Sequence, residues 1–397
     1  DRSRSRRPGP FAQAPRRRGV DGLGTADTVV VGAGIAGCAA ARLLAESGEN
    51  VLVVDRGGIG AGASGRNGGF LFHDAASWIE ELRDEALAWY RGIGEEGPVS
   101  LDLRECPLLV LAVEEGELAG ARAHADAVGG EQVDVAADSW LADDLAGAFL
   151  VEGGWVLDAM GATTATAEAA RRAGVRFALG CEAKQIVLTG GRVDGLATDL
   201  GVVRCGRVVV AAGPRARFLL RTAGVDLPIS SSRGWLLETA RVESPPPYAI
   251  EQAAWPEQEE MGPLSADPTL GEVASGETER PALVSLLLGG RPAGHCLIGT
   301  SLGRSLLEEP EAPDTVRRIA ERAVRVAPRL ADVPVVASWS GRRAMTPDGL
   351  PVAGPVGGIE GLDVLGGLSS IGMITAPGMA RRLVSGEPGP FAAERLA

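Results

Sequence analysis

The alternation of apolar runs with glycine-rich and polar turns divides the first part of the chain into strand, helix and strand. An apolar, β-branched run, Val29–Val31, enters a glycine-rich turn, and an alanine-rich segment from Ile35 to Ser47 follows it. A second apolar run, Val51–Val54, ends on Asp55. Two short buried runs around a helical segment predict a βαβ unit with parallel strands.

The turn of this unit has the spacing Gly-x-Gly-x-x-Gly, at Gly32, Gly34 and Gly37. A strand before it, a helix after it and an acid at the end of the next strand are typical of dinucleotide binding. We expect Gly32 to permit the tight turn, Gly34 to let the backbone approach a pyrophosphate, and Gly37 to let the helix pack close to the strand. The helix N-terminus suits phosphates, and Asp55 is placed to accept hydrogen bonds from a ribose diol.

The pattern predicts further elements along the rest of the chain. Helices are expected at 75–92, 115–128, 160–173 and 313–327, and strands at 108–113, 283–288 and 295–300. Short strands broken by turns at 175–203 lead into an apolar strand at 208–210, which is unusual for NAD dehydrogenases. A strand at 362–365 precedes a last helix that ends near Gly386, and residues 243–281 predict a long loop or lid.

Charge and cysteine content limit the kind of partner and compartment. The net charge is −13, but residues 1–18 carry +6, which leaves −19 for the remainder. Nucleic acid is therefore not expected as a partner, and residues 1–24 predict a disordered basic tail. No segment is long and apolar enough to span a membrane, and the five cysteines form no Cys-x-x-Cys pair. We expect a cytoplasmic protein with neither a disulfide framework nor a metal site.

Five motifs, in this order, resemble those of the D-amino-acid-oxidase-like family of FAD enzymes, which includes glycine and sarcosine oxidases and D-amino acid dehydrogenases. They are the fingerprint at Gly32 with Asp55, the loop Ala63–Gly69, the strand into Gly213, the turn Thr346–Gly349 and the helix start at Gly372. The resemblance covers roughly residues 25–386 and implies an α/β fold. A discontinuous, Rossmann-like FAD-binding domain (25–84, 151–225, 338–390) would carry an inserted mixed-sheet α+β substrate domain (85–150, 226–337).

The resemblance also implies a set of cofactor-binding residues spread along the chain. These are Gly32, Ala33, Gly34, Ile35, Ala36 and Gly37 at the pyrophosphate; Asp55 at the ribose, followed by Arg56; Ser64, Arg66, Asn67, Gly68 and Gly69 along pyrophosphate and flavin; Ala183 at the adenine; Gly213 after its strand; and Gly372 and Met373 at the flavin C2 carbonyl. A helix N-terminus suits the negative charge of reduced flavin. No cysteine lies near Ala344, where some relatives attach flavin, so noncovalent FAD is expected.

Two residues are candidates for the reaction itself. Arg343 matches the position where amino-acid-oxidising relatives keep an arginine for the substrate carboxylate, and a guanidinium binds a carboxylate through two parallel hydrogen bonds. His73 follows the flavin loop and could face the ring or the substrate; a structural, hydrogen-bonded histidine is an equal alternative. Ser370 lies where glycine-oxidase-like relatives can carry a basic residue, so a second carboxylate contact would be missing.

The implied function is FAD-dependent oxidation of a small amino acid or secondary amine to an imine. Hydride would pass to flavin N5, water would hydrolyse the imine, and oxygen or another acceptor would take the electrons. Two alternatives remain open: a flavin dehydrogenase of a hydroxy acid or polyol, and a FAD-binding subunit without independent turnover. The substrate, its chirality, the electron acceptor and a possible oligomer are left open as well.

Overall fold

The computed structural model describes residues 23–135, 138–253, 283–304 and 313–396. Most of the predicted basic tail, residues 1–22, therefore lies outside the described residues, as does 254–281 of the predicted lid. The described part of that segment is not all loop, because Ala249–Gln252 form a strand.

The strands of the described chain fall into four sheets. In chain order they are β1 (Thr28–Val31), β2 (Val51–Asp55), β3 (Phe70–Leu71), β4 (Arg104–Glu105), β5 (Leu108–Ala112), β6 (Glu131–Val133), β7 (Gly147–Val151), β8 (Trp155–Val156), β9 (Arg176–Leu179), β10 (Ala183–Thr189), β11 (Arg192–Thr198), β12 (Gly201–Arg204), β13 (Arg207–Val210), β14 (Ser230–Thr239), β15 (Ala249–Gln252), β16 (Leu283–Gly290), β17 (Cys296–Arg304), β18 (Val335–Met345), β19 (Val352–Pro355) and β20 (Leu362–Gly366).

The α-helices confirm the sequence-based expectation with small shifts at their ends. They are α1 (Ile35–Glu46), α2 (Ser77–Glu96), α3 (Leu118–Ala127), α4 (Ala159–Arg172), α5 (Ala216–Arg221), α6 (Pro313–Val326) and α7 (Gly372–Ser385). The segment predicted as a helix at 115–128 begins with a 3₁₀ turn at 115–117. Within the described ranges, none of these helices combines the length and apolar character that a membrane crossing needs.

A six-stranded, mostly parallel sheet forms the first layer, in the order β19-β20-β13-β1-β2-β9. Only β19 runs antiparallel, against β20. Helices α1, α2, α4 and α7 cover one face, while the antiparallel meander β10-β11-β12 and helix α5 cover the other. Because both faces are buried, β1 is apolar and buried along nearly its whole length, as a central parallel strand requires.

The second large sheet has eight strands, in the order β18-β14-β17-β16-β15-β5-β7-β6. Helix α6 packs on one face of it through Ile319, Ala323 and Val326. Strand β18 pairs with β14 from Val335 to Met345, so it belongs to this sheet although residues 338–345 are predicted for the FAD-binding segments. All six strands of the first sheet lie within those segments, and the exact domain boundaries stay a prediction.

The fingerprint glycines are required by close backbone approaches. Gly32 has a φ of +120°, and a Cβ there would lie 2.3 Å from the carbonyl oxygen of Ala211. A Cβ on Gly37 would lie 1.9 Å from the carbonyl oxygen of Gly32. Helix α1 can therefore approach the end of β1 only because its third residue has no side chain.

This contact predicts opposite effects for two glycine-to-alanine substitutions in helices. Gly37→Ala should destabilise the protein by roughly 1–3 kcal/mol, because the new methyl group overlaps a backbone carbonyl. Gly92→Ala, in α2, should instead stabilise it by about 0.5–1 kcal/mol, because no atom lies within 4 Å of that Cβ and alanine favours helix. Thermal unfolding of both variants measures the difference, and equal stability would contradict this account of Gly37.

Candidate active site

A cavity of about 420 Å³ lies at the carboxyl ends of the parallel strands β1, β2, β13 and β20. Its walls come from the fingerprint turn, the segment after β2, the loop after β13, and the start of α7. Residues 342–344 of β18 complete it, so the cavity touches both large sheets. The carboxyl edge of an open parallel sheet is where ligands bind in this class of fold.

The Asp55 carboxylate organises the turn at one end of the cavity. Its Oδ2 accepts a hydrogen bond from the Ala33 N–H at 2.8 Å, and its Oδ1 accepts one from the Gly57 N–H at 2.7 Å. An ionised carboxylate offers about four acceptor positions, so each oxygen keeps capacity for a further donor. Asp55 lines the cavity, which leaves that capacity available to a ligand.

The loop at 63–69 is tied to the fingerprint helix and to itself. The Ile35 N–H donates to Ser64 Oγ at 3.0 Å, so this N–H of the first turn of α1 is already engaged. Asn67 Nδ2 donates to the carbonyl oxygens of Ala63 and Ser64, and its Oδ1 accepts from the Gly69 N–H at 2.8 Å. The loop therefore holds a fixed shape along the cavity wall.

The same loop is also fastened to the second large sheet. Arg66 Nη1 donates to the carbonyl oxygen of Ser340 at 3.2 Å, and Trp339 Nε1 donates to the carbonyl oxygen of Arg66 at 3.3 Å. Arg291 Nη2 donates to the Gly68 carbonyl oxygen at 2.9 Å. These bonds fix the loop at 63–69, which forms part of the cavity wall, relative to the eight-stranded sheet.

Arg343 brings a cation without an acidic partner to the other end of the cavity. Its Nη1 donates to the Ser301 carbonyl oxygen at 3.1 Å, and its Nη2 donates to Thr300 Oγ1 at 3.0 Å. No carboxylate of the described residues forms an ion pair with it. Burial lowers the pKa of Arg343 to about 10, so the guanidinium stays charged at neutral pH.

Gly234, on the neighbouring strand β14, makes room for this guanidinium. A Cβ at position 234 would lie 2.5 Å from Arg343 Nη1 and 2.6 Å from Nη2. The guanidinium therefore lies flat over the backbone of Gly234. Sequence reasoning missed Gly234, Thr300 and Ser301; the available signal was a glycine inside a strand, which often marks a close approach.

The comparison with protein families identifies the cofactor of this chain. A family model described as "DAO: FAD dependent oxidoreductase" matches residues 27–385. The chain belongs to the DAO family of FAD-dependent oxidoreductases. FAD is accordingly the cofactor of this protein, as the five motifs predict.

Similar proteins cover the chain to different extents. The glycine oxidase of Pseudomonas aeruginosa is 27% identical over 386 residues, which is 92% of this chain and 97% of that enzyme. The glycine oxidase of Pseudomonas putida is 28% identical over 222 residues, and there the chain spans only about half of the relative, 52%. The crystal structure of glycine oxidase from Geobacillus kaustophilus has a TM-score of 0.79 at 22% identity, covering 94% of this chain and 98% of that one. The fold is thus the predicted α/β arrangement.

Some of the predicted site residues line the cavity, and the others lie behind its wall. Lining residues are Gly32, Gly34, Ile35, Ala36, Asp55, Arg56, Ser64, Asn67, Ala183, Gly213, Arg343, Gly372 and Met373. Among the described residues, those that do not reach the lining are Ala33, Gly37, Arg66, Gly68, Gly69 and His73. The second group supports the shape of the cavity through the contacts described above, His73 excepted.

His73 lies in a polar cluster outside the cavity lining, beyond the loop at 63–69. Its Nδ1 is 2.8 Å from Glu80 Oε2, and Glu80 Oε1 accepts the Asp74 N–H at 2.7 Å. A Cβ on Gly153 would lie 2.9 Å from His73 Nε2, so the ring is packed against backbone on its other side. This environment favours the structural interpretation of His73.

The first turn of α7 forms the wall near Arg343. Gly372 and Met373 line the cavity there, and first-turn N–H groups have no partner within their own helix. The Tyr90 hydroxyl donates to the Met373 carbonyl oxygen at 2.8 Å, which fixes the turn, and burial raises the pKa of Tyr90. Ser370 also lines the cavity, and its side chain is uncharged where relatives can carry a basic residue.

Proposed function

We propose that this protein uses FAD to oxidise a small amino acid or secondary amine to an imine, which water then hydrolyses. One observation carries the proposal: the half-buried Arg343 guanidinium faces the FAD cavity and has no acidic partner among the described residues. A cation kept from water without a counter-charge favours an anionic ligand group. The carboxylate of an amino acid is such a group, and both glycine oxidases in the comparison are named for an amino acid.

In this proposal the chain holds FAD along the whole cavity. The first turn of α1, with Gly32 and Gly34, takes the pyrophosphate, and Asp55 accepts hydrogen bonds from the adenosine ribose. The first turn of α7, which lines the cavity at Gly372 and Met373, would hold the flavin, and its positive dipole end would stabilise the negative charge of the reduced form. When bound, FAD supplies the acceptor for the hydrogen and two electrons of the substrate C–H bond.

The residues of the chain then contribute position more than proton transfer. Thr300 and Ser301 fix the plane of the Arg343 guanidinium, and Gly234 keeps the space beneath it open. A carboxylate bound to both Nη atoms has one defined orientation, which sets the reacting C–H bond relative to the flavin. Positioning of this kind supplies a large part of the rate in reactions between two bound partners.

An anaerobic substrate screen tests the function directly. The holoenzyme is mixed with amino acids and N-methyl amino acids of both chiralities, and flavin bleaching is followed together with ammonia or methylamine release. Bleaching with amine release supports the proposal. Bleaching only by hydroxy acids or polyols would identify the alternative dehydrogenase, and no bleaching at all would favour a FAD-binding subunit. Reoxidation in air then distinguishes oxygen from another acceptor.

We predict that FAD is bound noncovalently. No cysteine lies beside Arg343, and the cysteine that lines the cavity, Cys181, lies at the opposite end with a backbone bond to Asp55. Acid precipitation should therefore release the yellow flavin into the supernatant. Colour that remains in the pellet would contradict this prediction.

We predict that Asp55→Ala weakens FAD binding without unfolding the protein. The ribose hydroxyls would lose their acceptor, at a cost of roughly 1–3 kcal/mol, which corresponds to about 5- to 150-fold in Kd. Titration of the apoprotein with FAD measures the change. Asp27→Ala is the matched control, because Asp27 also accepts a backbone N–H, from Asn50, but lies before β1 at the amino end of the sheet. Equal FAD affinity in the two variants would exclude Asp55 from the ribose site.

We predict that Arg343 binds the substrate carboxylate. Arg343→Lys keeps the charge and loses the two-pronged geometry, whereas Arg343→Ala loses both. The loss in kcat/KM should correspond to roughly 2–5 kcal/mol, larger for alanine, with normal FAD content in both variants.

Gly234→Ala is an independent check on the same contact, because its methyl group would displace the guanidinium. It should raise KM for amino acids and leave oxidation of the decarboxylated amines unchanged. If Arg343→Ala oxidises amino acids as well as the parent protein does, the carboxylate assignment is wrong.

A further inference from the structure

Glu251 lies on the same face of the eight-stranded sheet as Arg343. In the sheet register Leu236 pairs with Gly299, Gly299 with Leu287, and Leu287 with Glu251. Residues paired across neighbouring strands point to the same face. Leu236 and Ser232 are four residues apart on β14, which pairs regularly with β18 here, so they point to the same face. Ser232 pairs with Arg343, which therefore points to that face as well.

The other face of this sheet is closed by a helix, which confirms the orientation. Ile250, Leu288 and Ile298 alternate with the residues of that row and pack in one apolar cluster with α6. Glu251 and Arg343 therefore both lie on the side of the sheet that faces the loop at 63–69.

The register also gives the distance between the two charged residues. The Arg343 guanidinium binds Thr300 and Ser301 on β17, next to Gly299, and Gly299 begins the row that leads to Glu251 on β15. Strands β17 and β15 are separated by β16. The guanidinium lies between Gly234 on β14 and Thr300 on β17, so two to three strand spacings of about 4.8 Å separate it from the Glu251 backbone, roughly 10–14 Å across the sheet.

The Glu251 carboxylate has no partner within the described chain. No hydrogen bond or ion pair of the described residues reaches it, and its strand neighbours Val110 and Leu287 are apolar. The charge that acts on it is that of Asp74, which has the same sign. Burial, with a smaller contribution from Asp74, raises the pKa of Glu251 to about 7. An acid kept in such surroundings is stabilised by any cation that reaches it.

We propose that Glu251 binds a cationic group at the far end of the substrate whose carboxylate is bound by Arg343. The preferred substrate class is then an amino acid with an amino or guanidino group on its side chain. This inference rests on the proposed function, because it assumes that Arg343 marks the carboxylate end. Glu251 acts by selecting the substrate and takes no part in the oxidation.

Lysine and norleucine, each as both enantiomers, test the proposal in the holoenzyme, because they have similar length and differ in the terminal cation. We expect kcat/KM to be about 10- to 100-fold higher for lysine. Glu251→Gln should remove most of this preference and leave norleucine within about twofold of the parent protein. Glu131→Gln, which removes an exposed acid from edge strand β6 of the same sheet, is the control and should change neither value.

The pH dependence gives a second, independent readout. Ionised Glu251 attracts a cation and the protonated form does not, so kcat/KM for lysine should rise as pH increases through about 7. Norleucine should lack this step, and so should lysine with Glu251→Gln. A loss of equal size for both substrates in Glu251→Gln would overturn the proposal, since it would point to a general role for the carboxylate.

A binding measurement keeps this inference separate from the proposed function. At pH 8 lysine should raise the melting temperature of the parent holoenzyme more than norleucine does, and Glu251→Gln should abolish the difference. This result can be obtained whether or not lysine bleaches the flavin. Turnover of neutral amino acids with no advantage for lysine would refute the role of Glu251 and leave the proposed function standing. Lysine binding that depends on Glu251, without any flavin bleaching, would refute the proposed function and leave the cation site at Glu251 standing.

Discussion

The approach of helix α1 to the end of strand β1 is the constraint on which the site depends. The Gly32 carbonyl lies where a Cβ of Gly37 would be, so the helix begins directly at the strand end. The first turn of α1 is thereby brought beside Ser64, whose Oγ accepts the Ile35 N–H. The Asp55 carboxylate accepts the N–H of Ala33, in the turn before the helix. A side chain at position 37 would move this wall of the cavity as a unit, because close-packed interiors transmit such shifts.

The opposite wall depends on a strand that belongs to a different sheet. Strand β18 pairs with β14 throughout, yet residues 342–344 near its end line the cavity of the candidate site. The guanidinium of Arg343 is therefore held by β17 and β14 of the eight-stranded sheet while it faces the cavity at the edge of the six-stranded sheet. Arg66 and Arg291 also connect the loop at 63–69 to the eight-stranded sheet. Each guanidinium donates a hydrogen bond to a backbone carbonyl oxygen, so the connection does not depend on a carboxylate partner.

The sequence predicts the parts of this arrangement that are local. Gly32, Gly37 and Asp55 lie within one βαβ unit, where spacing alone defines the geometry, and the meander before β13 follows from its turns. It does not predict contacts made between distant strands. Arg343 meets residues about 40 positions away and a glycine more than 100 positions away, and no periodicity encodes such pairs. The surroundings of His73 are not predicted from the sequence either. Its contact with Glu80 and its packing on Gly153 depend on how the chain after β2 folds.

The separation of Arg343, which lines the cavity, and Glu251, which lies on the same sheet face, is itself informative about the proposed substrate. Two opposite charges on one sheet face would lower their free energy by pairing directly, and at roughly 10–14 Å their attraction is weak unless the medium between them has a low dielectric constant. Each is instead buried without a counter-ion, an arrangement that costs stability in the free protein. A ligand with an anionic and a cationic end offsets both costs at once, whereas a ligand with one charge offsets only one. In the proposal above, this spacing across the sheet converts an unfavourable charge distribution into selectivity for the length and charge of the substrate.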